Sequence, residues 1–467
     1  MLVINDSQPS LNRRQLLTIG GLGMGSLSLA SLLGVKAQAT ELSNAVRNKS
    51  VVFLFQQGGP SQLETFDPKP LAPDSIRTVC DVIPTSIPGV HYSEYFPKLA
   101  RLASQFTIVR NYQTLNGGHN IQPIVGPHSL QASIPVHYSR VVGTTHAQTG
   151  MPTSAILFPQ AVSDDVPRGS ARGNLAETGA FGSGYAPFIP GKDGQLQKDM
   201  QLSLPRDRFF GDRQTLLGKL DKLRRDADAN GQVGALDDLQ QQAYDILLGG
   251  GVARALDLSQ EDPAVLSKYD TSEYATKGLW NSVSRGKAGY YDANAASIGK
   301  LLCMARRLCQ AGCGFVTVHA SYAGVWDMHA DGNNLNMTDG MNAIGWSFDH
   351  AVAAFIEDIE SRGMQDDILL VCCGEMGRTP RLNKRGGRDH WSKLAPLLLY
   401  GGGHRRGQVI GQSDPTGSEP RGAPNHQNHL ISTIMHTLFD IGQLRLVSGI
   451  PSEVLQMGTK PPIPGLL

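Results

Sequence analysis

The chain has 467 residues, of which 40% are hydrophobic and 18% charged, with 53 glycines and 27 prolines. That composition supports a sizeable core with many tight loops and argues against disorder. The formal net charge is +1, so no global field would hold nucleic acid or an anionic membrane, and any bound anion must meet a local patch.

In chain order, Asn12-Arg13-Arg14-Gln15-Leu16-Leu17 opens onto Leu16 to Val35, a moderately apolar stretch containing five glycines, and Ala37-Gln38-Ala39 follows as a small-x-small cleavage site. A charged n-region, a weak h-region and an A-x-A end predict a removable twin-arginine signal peptide over 1–39. The export machinery would then be a partner, and the mature chain would work in the periplasm or outside the cell. Removing the leader takes away Arg13, Arg14, Lys36 and Asp6, leaving 39 basic and 40 acidic residues. No other segment is long and apolar enough to span a bilayer.

Val51 to Phe55 is a short continuous apolar run ending in Gln56-Gln57-Gly58-Gly59-Pro60, the pattern of a buried parallel strand and its exit loop. Phe106 to Val109 and Ala155 to Phe158 are further strand candidates. From about 164 to 289 the chain is polar and helical in pattern, with helices expected at 213–225 and 236–248; this reads as an insertion or cap. Ile298, Leu301, Leu302, Ala305 and Leu308 follow a helical period, and Phe315 to Val318 is the next strand. Phe348, Val352, Phe355, Ile356 and Ile359 mark a second amphipathic helix, followed by strands at Ile368 to Cys373 and Pro396 to Tyr400. Alternating helices and strands predict an α/β fold whose mostly parallel central sheet is covered by helices on both faces. The six cysteines show neither zinc-ribbon nor disulfide spacing and read as small buried hydrophobes, Cys372 and Cys373 facing opposite sides of a strand.

In open α/β sheets ligands bind outside the carboxyl ends of the strands, so the polar residues after each strand are the ones to inspect. There the chain carries His319 and Trp326-Asp327-Met328-His329, then Gly374-Glu375-Met376-Gly377-Arg378, then Gly386-Gly387-Arg388-Asp389-His390-Trp391. Asp327 and His329, two apart in an extended loop, can point the same way and share one cation, with His390 as third ligand and one position left open. Glu375 and Asp389 are the other carboxylates in reach. Mixed oxygen and nitrogen donors suit a divalent ion, zinc or manganese, which would polarise a phosphoryl or sulfuryl oxygen. Arg378, Arg381, Lys384, Arg385 and Arg388 form a local basic stretch with no acid among them, and arginine forks suit tetrahedral oxyanions.

At Val51 to Pro70, the WDMH at Trp326, GEMGRTP at Gly374 and GGRDHW at Gly386, the chain resembles the family of domain of unknown function 1501. That family is grouped with alkaline-phosphatase-like and sulfatase-like proteins, and the resemblance implies their fold, two metal sites and a loop nucleophile. Asp327, His329 and His390 look like the Asp, His and late His of one metal site. At the other site Glu375-Met376 stands in place of an Asp-His pair, and Gln56-Gln57-Gly58-Gly59 in place of an Asp, with Glu64 or Asp67 as substitutes from the same loop. No formylglycine motif is present, and the nucleophile region reads Gly117-Gly118-His119-Asn120 and His128-Ser129.

Two functions fit. One is an exported metal-dependent hydrolase of phosphate or sulfate esters, small or glycan-borne. In it Asp327, His329 and His390 hold the ion, Glu375 is a second ligand or general base, His119 approaches from the opposite loop, and Arg378 and Arg388 clamp the ester. The other is a non-catalytic relative that binds an anionic glycan or another exported protein.

Overall fold

The computed structural model describes residues 41–146, 148–163, 165–191, 251–275, 285–319 and 322–466. The leader and the helices expected at 213–225 and 236–248 lie outside the described residues.

Seven strands form one sheet: β1 Ser50–Phe55, β2 Thr107–Val109, β3 Ser154–Leu157, β4 Phe315–His319, β5 Ile368–Cys373, β6 Leu397–Gly401 and β7 Gln408–Ile410, in the order β7-β2-β6-β5-β1-β4-β3. β1 runs parallel to both β4 and β5, β3 is parallel to β4, and β7 is parallel to β2. β6 alone is reversed, pairing antiparallel with β2 and β5. The expected class, α/β with a mostly parallel sheet, is the observed one.

Period-two alternation divides each central strand between two cores. Val52 and Leu54 of β1, Leu370 and Cys372 of β5, and Val316 and Val318 of β4 face one core. Val51, Phe53, Phe55, Leu369, Val371, Cys373 and Phe315 face the other. Both faces are buried, as a continuous apolar run requires. The helices α2 Arg285–Gln310 and α3 Met337–Ser361 close the first core with Leu301, Leu302, Leu308, Phe348, Val352 and Phe355. On the second face lie α1 Ile134–Val142 and α4 Gln427–Leu438, through Ile134, Leu430, Ile434 and Leu438. α3 starts where the Asn336 side chain accepts a hydrogen bond from the Asp339 backbone N–H, an N-cap that satisfies a donor left free by the helix. Cys372 and Cys373 face opposite sides, and all six cysteines are free, five of them buried. Among the described residues no helix is long and apolar enough to cross a membrane.

Candidate metal centre

β1, β2, β4 and β5 share one direction, so the loops leaving them gather at one edge of the sheet. β1 delivers Gln57 and Gly58, β4 leads to Asp327 and His329, β5 to Glu375, and the chain after β2 to His119. β6 runs the other way, so the segment before it arrives at the same edge. That segment is held by a short antiparallel pair, Gly377–Arg378 against His390–Trp391, in which His390 lies opposite Arg378.

At this edge His119, Asp327 and His390 each offer a ligand atom, and the three atoms lie within 4.8 Å of one another. His119 Nε2 is 2.8 Å from Asp327 Oδ2, and His390 Nε2 is 3.5 Å from Asp327 Oδ1. The two imidazoles meet edge to face with centroids 4.3 Å apart. Each is oriented from behind: His119 Nδ1 lies 3.0 Å from Glu375 Oε1, and His390 Nδ1 lies 3.0 Å from the Gly117 carbonyl oxygen. With Nδ1–H donating outward, each Nε2 keeps its lone pair for the shared space, the second-sphere arrangement typical of metal-binding histidines.

Glu375 is wholly buried, and its two oxygens also accept from the Gly58 backbone N–H at 2.9 and 3.1 Å. Gly58 has φ +119°, and a Cβ there would stand 2.7 Å from the Asp327 backbone nitrogen. Only glycine combines that φ with so close an approach. Burial works to raise the Asp327 pKa, but donors from His119, His329, His390 and Arg378 outweigh it and hold the carboxyl far below the carboxylate range. Burial disfavours the charged form of His119, yet Asp327 and Glu375 beside it raise its pKa on balance. A proton on His119 Nε2 and a cation are therefore alternative occupants of one place.

His329 is close by but in a different role. Its Nδ1 is 2.5 Å from Asp327 Oδ1 and its Nε2 is 3.0 Å from Asp331 Oδ2. Both nitrogens face carboxylates, and the Asp327 hydrogen bond raises its pKa. The group whose ligand atoms converge is His119, Asp327 and His390, so His119 stands with Asp327 and His390 where His329 was expected, and His329 braces Asp327 from the side. Asp389, just before the strand, is exposed and accepts an N–H of the Asn383 side chain at 3.2 Å; it is outside the group.

The two arginines expected to clamp an ester are fully buried and occupied by the protein. Arg378 donates to the Gly59 carbonyl at 2.8 Å, to Asp327 Oδ1 at 2.7 Å, and to the carbonyls of Gly58 and Arg388. Arg388 pairs with Glu64 at 2.8 Å and donates to the carbonyls of Ile76, Arg77 and Pro380. Both are wholly buried and bonded mainly to the protein's own carbonyls and carboxylates; they fasten the Gly58, Glu64 and Asp327 loops together. Glu64 is thereby spent on Arg388, and Asp67 pairs with Lys69 and Arg110 at 2.8 and 3.3 Å. Neither stands in for a second-site ligand. Gln57 is a knot of the scaffold: its Nε2 donates to the Asn120 carbonyl, and its Oε1 accepts from the Arg172 N–H and His319 Nε2.

Sequence reasoning passed over the Gly117 carbonyl and Asp331. A backbone acceptor carries no residue signature, and Asp331 was legible only as one more carboxylate two positions past His329.

The profile of the family described as "Protein of unknown function (DUF1501)" matches residues 48–445. The chain belongs to the DUF1501 family. No curated protein matches this DUF1501 chain. Among solved structures it is similar to Ps i-CgsB, with 10% identity and a TM-score of 0.35, covering 86% of this chain and 74% of that one. It is also similar to the PsFucS1 sulfatase from Pseudoalteromonas sp., with 12% identity and a TM-score of 0.29 over 82% and 69% of the two chains. The phosphonate monoester hydrolase SpPMH from Silicibacter pomeroyi matches at 12% identity and a TM-score of 0.29, over 83% and 72%.

Proposed function

We propose that the chain is a metal-dependent hydrolase of phosphate or sulfate esters that acts after export. The observation carrying this reading is the convergence of His119 Nε2, His390 Nε2 and an Asp327 oxygen within 4.8 Å, with both Nδ1 atoms tied off behind them. Two imidazole nitrogens and a carboxylate oxygen fit zinc or manganese, with room for further ligands. When bound, such a cation acidifies a water and polarises the ester oxygen.

The chain's own residues do the remaining work. Glu375 holds His119 in the Nδ1–H tautomer. Arg378 and His329 both donate to Asp327 Oδ1, fixing the carboxylate and leaving Oδ2 directed at His119. Asp327 and Glu375 are sealed off by burial, while the His390 side chain is 30% exposed, so substrate enters on the His390 side. Glu375 acts here as the orienting partner of His119, and a single cation is the occupancy that the donors support.

Export rests on Arg13-Arg14, the glycine-rich h-region and Ala37-Gln38-Ala39. A twin-arginine route carries the folded chain to the periplasm or beyond.

The test is metal analysis of purified protein followed by assay on aryl phosphates and aryl sulfates. About one zinc or manganese per chain, with hydrolysis that disappears when the metal is chelated, is the expected result. A protein that binds no divalent ion and turns over neither ester class would refute the enzyme and leave the binding-only alternative.

A further inference from the structure

We infer that Lys287 and Arg172 form the wall of this centre that receives the tetrahedral oxyanion of the substrate, in the place sequence reasoning assigned to Arg378 and Arg388. The inference rests on the ester-hydrolase reading and names the residues that select its substrate class.

The charge balance of the site leads to these two. Asp327 has Arg378 at 2.7 Å, Asp331 has His329 at 3.0 Å, and Glu375 has His119 at 3.0 Å. Each carboxylate thereby has a hydrogen-bonding partner of its own. Among the described residues Lys287 and Arg172 have no carboxylate partner: Lys287 Nζ donates to the neutral Asn334 Oδ1 at 3.2 Å, and its ammonium lies over the Tyr322 ring, 5.6 Å from the centroid. Arg172 is engaged through its backbone, where its N–H donates to Gln57 Oε1 at 3.1 Å and its carbonyl accepts from Gln57 Nε2 at 3.4 Å. Among the described residues its guanidinium forms no ion pair.

Both residues connect to the centre through one intermediate residue. The Asn334 amide that holds Lys287 also reaches His329 Nε2 at 3.5 Å. Gln57, which holds the Arg172 backbone, precedes Gly58, whose N–H fixes Glu375. A β-bridge between Ser170 and Tyr322 brings the two segments together, and Tyr322 stacks on Tyr290 with centroids 4.6 Å apart. Burial lowers the Lys287 pKa, Asp331 and Asp327 raise it, and the nearby Arg172 charge lowers it further. All four charges thus share one neighbourhood. Two like charges with no ion-pair partner among the described residues, at the edge of a metal-binding group, are completed by an anion, and a phosphate or sulfate presents acceptors to both.

Isothermal titration of inorganic phosphate, and separately of sulfate, into metal-loaded wild type, Lys287→Gln, Arg172→Gln and the double variant tests this, with metal content and melting temperature read on the same samples. About a tenfold loss of affinity is expected for each single variant, and roughly a hundredfold for the pair, with metal content unchanged; Lys287→Arg should stay near wild type. Whichever anion shows the loss identifies the ester. Arg172 is exposed, so its variant remains informative should Lys287→Gln fold poorly. Unchanged affinity for both anions in folded, metal-loaded variants overturns the inference alone, and so does a wild type that binds neither anion. A chain that loses anion affinity as expected, yet holds no metal and cleaves no ester, upholds the inference and refutes the hydrolase.

Discussion

Two buried clusters of charge behave differently in this molecule. Beneath α2 and α3, Arg306 pairs with Asp358 at 2.9 Å and Glu261 at 2.7 Å, Arg307 with Glu261 at 2.9 Å, and Arg362 with both at 2.6 and 3.1 Å. The Tyr269 hydroxyl adds a hydrogen bond to Asp358 at 2.9 Å. Each carboxylate there meets guanidinium groups, so the network is closed. At the sheet edge, by contrast, His119 and His390 are each held from behind through Nδ1, and their Nε2 atoms converge on the single carboxylate of Asp327. Burial and charge are shared by both clusters. The direction of the lone pairs separates a staple from a site.

The contrast can be broken at either end. Arg306→Ala should cost about 3 kcal/mol of stability, the low end for a broken buried pair, because Arg307 and Arg362 still face the two carboxylates. Metal content should not change; chemical denaturation and metal analysis of the same preparation read both. His390→Ala should do the reverse. We expect metal affinity and ester hydrolysis to fall by at least ~100-fold, beyond the usual effect of losing an outer-sphere partner, while the metal-free melting temperature stays near wild type. A large fall in that melting temperature would mean the cluster is a staple too.

Glu375→Gln probes the orienting partner and should weaken metal binding by about 10–100-fold, measured by competition with a chelator. Acid gives the smallest effect. Burial works to raise the Glu261 pKa, but Arg307, Arg306 and Arg362 outweigh it and hold the carboxyl at about 2, against 4.5 ordinarily. Its stabilisation is complete above the ordinary value and is lost as pH falls toward about 2. Melting temperatures between pH 5 and 2 should drop more steeply for wild type than for Glu261→Gln.

The sheet was readable from the sequence because its strands are unbroken apolar runs. Ile368 to Cys373 matches β5 end for end, and the other expected strands differ from the observed ones by a residue at one or both ends. β7, Gln408–Ile410, was missed; it is a half-buried three-residue edge strand with one polar residue in it. Asp327 and His390 were singled out because they follow or precede strands. His119, expected to approach from the opposite loop, groups with Asp327 and His390 where His329 was expected, since spacing alone says that Asp327 and His329 can face one way but not that Asp327 and Asp331 will each meet a nitrogen of His329. Arg378 and Arg388 looked like substrate clamps because a basic stretch with no acid reads as a surface. Glu64, more than three hundred positions away in sequence, draws Arg388 inward. Lys287 and Arg172 carried no local signal, each lying in a polar stretch away from the strand ends.

The reversal of β6 has a consequence of its own. β5 and β6 are hydrogen-bonded neighbours, so the excursion from Gly374 to Pro396, which bears Glu375, Arg378, Arg388 and His390, leaves and re-enters the sheet side by side. Its length is thus uncoupled from strand register. Residues can be inserted or removed at its exposed turn around Lys384 and Arg385 without shifting any crossover. Related chains could resculpt the entrance there while the four anchoring side chains keep their places, which makes this stretch the natural spot for specificity to diverge.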